Sequence, residues 1–248
     1  MMSAFLFLAA MIGGALNSVA GGGSFVTLPA LLYSGVPPVM ANATSTMALW
    51  PGSLSSAYAY RHDMKTERRY LVLLVGVSIV GGLIGALLLV RTSDTHFMQL
   101  LPWLMLLASV TFSFGGLATA RLRRQPVGGV HHFAWWAVLL QFIISVYGGY
   151  FGGGMGIMML ATMAVVGMTD IHEMNGLKAV MGATLNGVAL AEFVLTGAVA
   201  WGHGAVMVAG SITGGYFGAH YARQVDKDLV KRFVSVVAWG LTLYFFLR

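Results

Sequence analysis

The chain has 248 residues, 58% of them hydrophobic and only 9% charged, with a mean hydropathy of +0.80. Soluble domains average about 25% charged residues, so the composition excludes an ordinary soluble fold and marks an all-α polytopic membrane protein. Cysteine is absent, which excludes disulfides and thiolate metal sites, and the net charge of +6 sits in short loops between apolar segments, where it sets topology instead of marking a nucleic-acid partner.

In chain order, no basic residue precedes the first apolar run, so residues 3–17 read as a mature membrane segment and not as a cleaved leader. Residues 3–34 are too long for one crossing and short for two, since a span takes about 20 residues. Gly21, Gly22 and Gly23 interrupt them, which predicts two short helices meeting at the glycines. Gly35 to Pro38 is a turn. Residues 39–60 form a span kinked at Pro51, and Arg61 to Arg69 a basic loop. Residues 70–90 and 97–118 are further spans, separated by the short loop Arg91 to His96. A linker, 121–132, opens with Arg121, Arg123 and Arg124. Residues 133–167 are apolar again, broken at Gly152, Gly153 and Gly154. Asp170, His172 and Glu173 mark a loop, and 174–197 a span. Trp201 to Gly204 reads as a nearly neutral turn, 205–222 as a span, Arg223 to Arg232 as a charged loop, and 233–247 as the last span.

The two halves, 1–120 and 133–248, read as copies. Ser78 to Ala86 matches Ser211 to Ala219 at six of nine positions, 133 residues apart, and the same spacing sends Asn42 to Asn175. Basic residues gather on the cytoplasmic side of a membrane. In the first half they follow the Asn42 span. In the second they follow one span later, at Arg223, Lys227, Lys231 and Arg232. Placing all of these loops and the linker in the cytoplasm requires the halves to be inverted. Each half is then a glycine-broken helical hairpin plus three transmembrane helices, eight to ten membrane segments in all, with both termini periplasmic. If each glycine-rich segment crosses once, the halves are parallel and one basic loop is misplaced.

No catalytic pair lies within the spans, no metal-ligand cluster is spaced for binding, and the histidines fall mostly in loops or at segment ends, so neither an enzyme nor a cofactor is expected. The glycine breaks are the chemistry-bearing feature. A broken helix in hydrocarbon leaves backbone groups unpaired, which is tolerated where it lines a cavity. The helix starting after each triplet offers free N–H groups and a positive dipole end, suited to an anion. Candidate substrate-binding residues are Gly21, Gly22, Gly23, Ser24 (a possible helix cap), Asn42, Thr44 and Ser45 in the first half, and Gly152, Gly153, Gly154, Asn175 and Lys178 in the second. Lys178 supplies the positive charge. Glu192 lies deeper in its span, where an intramembrane carboxylate is a candidate for coupling.

The blocks Gly21-Gly-Gly-Ser-Phe-Val-Thr-Leu-Pro-Ala-Leu-Leu32, Gly35-Val-Pro-Pro38 and Ala41-Asn-Ala-Thr-Ser45, with Tyr147-Gly-Gly-Tyr-Phe-Gly-Gly-Gly-Met-Gly156, resemble the TauE/SafE sulfite exporter family, also called sulfonate uptake permeases. The chain departs from the pattern at Ala161-Thr162, where the family often has proline, and carries Lys178 where the first half has Ser45. The resemblance implies a secondary transporter in the bacterial inner membrane for sulfite, sulfonates or related sulfur anions. Protons as coupling ion, contact with membrane lipid and pairing into a homodimer are further expectations. An anion channel or a non-transporting scaffold is the alternative.

Overall fold

A computed structural model describes residues 1–19, 22–62, 64–123, 135–221 and 227–247. Within them the chain is helical, as the long apolar runs dictate. The helices are α1 (Met2–Val19), α2 (Ser24–Tyr33), α3 (Pro38–Ala59), α4 (Arg68–Arg91), α5 (Asp94–Arg123), α6 (Trp135–Tyr150), α7 (Met155–Val165), α8 (Ile171–Leu195), α9 (Trp201–Tyr221) and α10 (Lys227–Leu247). Three stretches among the described residues are long and apolar enough to cross a membrane: Arg68–Arg91, Asp94–Gly115 and Ile171–Leu195. Helix α3 is long enough too, but Asn42, Thr44, Ser45 and Thr46 dilute its hydropathy. The outer surface carries large apolar side chains such as Val72, Trp103, Phe114, Ile143 and Leu243, which suits lipid and not water.

Small residues set the closest helix contacts. On α4, Gly81, Gly82 and Gly85 lie against Ser145, Val146 and Gly149 of α6; on α9, Gly210 and Gly214 lie against Phe7 and Met11 of α1. A side chain at Gly85, Gly210 or Gly214 would strike backbone, so the stripes let the helices approach as membrane helices do. The order of contacts gives directions. Ser78 accepts from Gln141 Nε2, Gly81 meets Ser145, and Gly85 meets Tyr150, so α4 and α6 run parallel. Phe7 meets Gly210 and Met11 meets Gly214, so α1 and α9 also run parallel. Helices α3 and α8 run antiparallel: Thr44 accepts from Ala200 N–H just beyond α8, Trp50 Nε1 donates to Ala183 O at 2.9 Å, and Tyr60 packs on Gly176 near the start of α8. Helices α5 and α10 are joined by a buried hydrogen bond between the Ser109 and Thr242 hydroxyls, 2.9 Å.

Several boundaries differ from the sequence reading. Trp201 to Gly204 is the first turn of α9, not a loop; α8 ends at Leu195, and Gly197, at φ 69°, terminates it as glycine commonly does. Arg121 and Arg123 continue α5, and Lys227 already begins α10, because Arg and Lys are good helix formers. Helix α3, with Pro51 inside it, is the single element expected over 39–60. Gly21, most of the 121–132 linker and Arg223 lie outside the described residues.

Candidate anion site

Both glycine breaks border the point where α3 and α8 cross. Beside Trp50, Leu49 presses on Gly23, where an added Cβ would lie 3.0 Å from Leu49 Cδ2; beside Ala183, Gly182 faces Met155 at 3.8 Å from that position's Cβ. The two breaks differ in conformation. Gly23 is right-handed helical, at φ −58°, and its carbonyl accepts from the N–H groups of Val26 and Thr27 and from the Thr27 hydroxyl. Ser24 is the first residue of α2 and makes no capping bond, which corrects the expectation that it caps this helix. At the second break Gly152 and Gly154 adopt φ of 81° and 77°, a region glycine enters without steric penalty.

Side chains hold two carbonyls of the second break, Tyr150 O and Gly153 O, and leave its donors open. Asn42, 2% exposed, donates from Nδ2 to Tyr150 O at 2.9 Å. The Tyr147 hydroxyl donates to Gly153 O at 2.7 Å. Gly154 O accepts from Ile157 and Met158 N–H. In contrast, the N–H groups of Gly153, Gly154, Met155 and Gly156 donate to nothing among the described residues. The stem of Lys178 lies along this first turn: a Cβ at Gly156 would be 3.3 Å from Lys178 Cδ. Lys178 is partly buried, and no hydrogen bond or ion pair engages it among the described residues. The stem of Lys178 therefore lies beside the positive end of α7 and its four free amides, and no carboxylate pairs with Lys178 among the described residues. Free amides at a helix start are donors suited to a negative group.

The other expected residues divide. Ser45 lies 2.6 Å from the Thr27 hydroxyl, tying α3 to α2 one turn past the first break. Thr44 donates to Met40 O and accepts from Ala200 N–H, so it ties α3 to the α8–α9 connection. Asn175 donates to Ile171 O on its own helix and not to the break. Gly22 and Gly23 are buried where the chain turns from α1 to α2. Glu192 is partly buried near the far end of α8, with no side-chain partner among the described residues. The sequence reading missed Tyr147 and Thr27. An intramembrane tyrosine needs a partner for its hydroxyl, and its position five residues before a glycine triplet was the available signal. A hollow of about 410 Å³ beside α1, α2 and α10 is lined by apolar side chains such as Phe5, Ile12 and Leu241, and carries none of this chemistry.

At the end away from α2's C-terminus, the 64–67 segment closes over the start of α8. Thr66 donates to Glu173 Oε1 at 2.6 Å, and Lys65 Nζ lies 3.6 Å from Asp170 Oδ2. Asp170 caps α8, accepting from His172 and Glu173 N–H. Those two bonds, aided by Lys65, hold its carboxyl below the usual carboxylate range.

A family model described as "Sulfite exporter TauE/SafE" matches residues 6–245. The chain is similar to a "Probable membrane transporter protein" of Haemophilus influenzae, 29% identical over 240 residues that cover 96% of this chain and 92% of the relative. It is 27% identical to "Probable membrane transporter protein ORF9" of a Sinorhizobium species, over 97% of this chain and 90% of that one. It is 25% identical to "Probable membrane transporter protein YfcA" of Escherichia coli K12, over 94% and 85%. No solved structure matches the chain.

Proposed function

The chain belongs to the TauE/SafE sulfite exporter family of membrane transporters, and from that membership we propose that it moves a small sulfur-containing oxyanion, sulfite or a sulfonate, across the bacterial inner membrane by alternating access. The observation that carries the anion is the second helix break, with Tyr150 O and Gly153 O held by Asn42 and Tyr147, four amides free among the described residues, and the stem of Lys178 beside them. Amide donors and one ammonium suit an oxyanion of low charge.

Alternating access by inverted halves has independent support. The contacts exchange between halves: α1 packs on α9 as α6 packs on α4, and α2 touches α10 as α7 touches α5. The bonds Trp50 to Ala183 and Ser109 to Thr242 each join residues 133 apart, the repeat spacing; on a two-fold axis each residue meets its own counterpart. Antiparallel α3 and α8 fit an axis lying in the membrane plane. Helices α2 and α7 have 10 and 11 residues, so each is about 15–17 Å long, near half of a bilayer core of about 30 Å. Glu192 is the proposed proton carrier.

The test is counterflow of labelled sulfite in proteoliposomes, with thiosulfate and taurine as competitors. Saturable uptake accelerated by sulfite inside the vesicle is expected. Flux that neither saturates nor counter-exchanges points to a channel and sinks the transporter reading. Lys178→Gln is expected to raise the half-saturation concentration about tenfold or more, because it removes a charged donor.

A further inference from the structure

We propose that Tyr147 is a positioning residue for the anion, setting the direction of the Gly153–Gly154 peptide. This rests on the anion reading of the second break. A trans peptide points its C=O and N–H in opposite directions, so whatever holds Gly153 O also aims Gly154 N–H. Both flanking residues are glycine, and Gly154 sits at φ 77°, so local sterics do not prevent this peptide from turning over.

The Tyr147 hydroxyl provides the hold. Its oxygen lies 2.7 Å from Gly153 O and 3.3 Å from Leu104 O. A hydroxyl has one proton, and the shorter contact takes it. The ring is fixed by the edge of Phe151, with centroids 6.0 Å apart. No other donor reaches Gly153 O among the described residues. If the peptide turned over, an acceptor would replace a donor beside Met155 and Gly156 N–H, facing the ligand. Asn42 anchors Tyr150 O, three residues earlier, so the two side chains hold the break at both ends.

The first break lacks this device. The spacing of the glycine triplets puts Leu16 in the place of Tyr147, and Gly23 O is satisfied by the helix that follows it. The aimed amides therefore belong to the second half.

The experiment compares wild type, Tyr147→Phe and Lys178→Gln in proteoliposomes, using labelled sulfite and, by competition, methanesulfonate. Tyr147→Phe keeps the ring and its packing. The expected result is a half-saturation concentration raised about tenfold for both probes, as for loss of one hydrogen bond to a charged group, at an unchanged maximal rate. A purely structural role would instead lower the maximal rate and the ligand-free melting temperature. If Lys178→Gln weakens both probes and Tyr147→Phe does not, the Tyr147 proposal is overturned while the anion site stands. If wild type saturates with neither probe, or Lys178→Gln matches wild type, both are overturned, because Tyr147 then has no anion to aim for.

Discussion

Asn42 and Asn175 occupy matching places in the two halves, yet only Asn42 crosses to the other half. Its amide is 2% exposed and satisfies Tyr150 O at the end of α6. Asn42→Ala would strand that carbonyl in an apolar surround, at a cost of about 1–3 kcal/mol. Its counterpart merely bonds back to Ile171 O, so Asn175→Ala should leave stability nearly unchanged. Melting temperatures of the two variants in detergent check this; equal losses would contradict it. The identity of both asparagines was plain in the sequence. Which one bridges was not, because the bridge depends on where α6 ends, and α6 is shorter than α1.

Asp170 offers a second test at this scale, with a definite sign. Its carboxyl is held below the usual range by two backbone N–H groups. A depressed folded-state value means the charged cap stabilises the start of α8 above the ordinary carboxylate value. That contribution is lost as pH falls through the lowered one. Protection of the His172 and Glu173 amides, taken as the intrinsic exchange rate at each pH relative to the observed rate, should therefore fall on acidification in wild type. In Asp170→Asn, which caps without titrating, it should not show this acid-side loss.

Between elements, glycines decide how close the helices stand. A Cβ at Gly85 would collide with the Val146 carbonyl and Tyr150 N, whereas Gly76, two turns earlier on α4, has nothing within 4 Å. Gly85→Ala must push α4 from α6 and is expected to cost about 1–3 kcal/mol, as overpacking does; Gly76→Ala meets open space and should be neutral or stabilising. Unfolding titrations of the pair separate contact from propensity. The helices themselves were legible, because an apolar run of some twenty residues has few other fates, and both breaks were legible because three glycines in a row end such a run. Less legible were the helix ends. Trp201 to Gly204 has the composition of a turn, but Gly197 ends α8 first and leaves those residues to start α9. The capped carbonyls of the second break escaped the sequence because their partners lie one turn before it in Tyr147 and on another helix in Asn42.

At the scale of the whole molecule, the contacts constrain which loops share an end. Tyr33 meets Phe5 edge to face, and Val39 N–H donates to Asp94 Oδ1, so the start of α1, the α2–α3 turn and the α4–α5 turn lie together. Lys65 and Thr66 reach Asp170 and Glu173, so the α3–α4 and α7–α8 connections share the opposite end. Thr44 meets Ala200, which brings the α8–α9 turn to the first group. The basic cluster Lys65, Arg68 and Arg69 falls in the second group, which the charge rule assigns to the cytoplasm. The absence of cysteine makes this directly measurable. Single cysteines at Ser3, Ser34, Ser93 and Thr196 should react with an impermeant thiol reagent applied outside intact cells. Cysteines at Lys65 and Thr169 should react only after the membrane is opened. Labelling of positions 65 and 169 from opposite sides would break the antiparallel pairing of α3 and α8 and, with it, the inverted arrangement on which a single site reached from both faces depends.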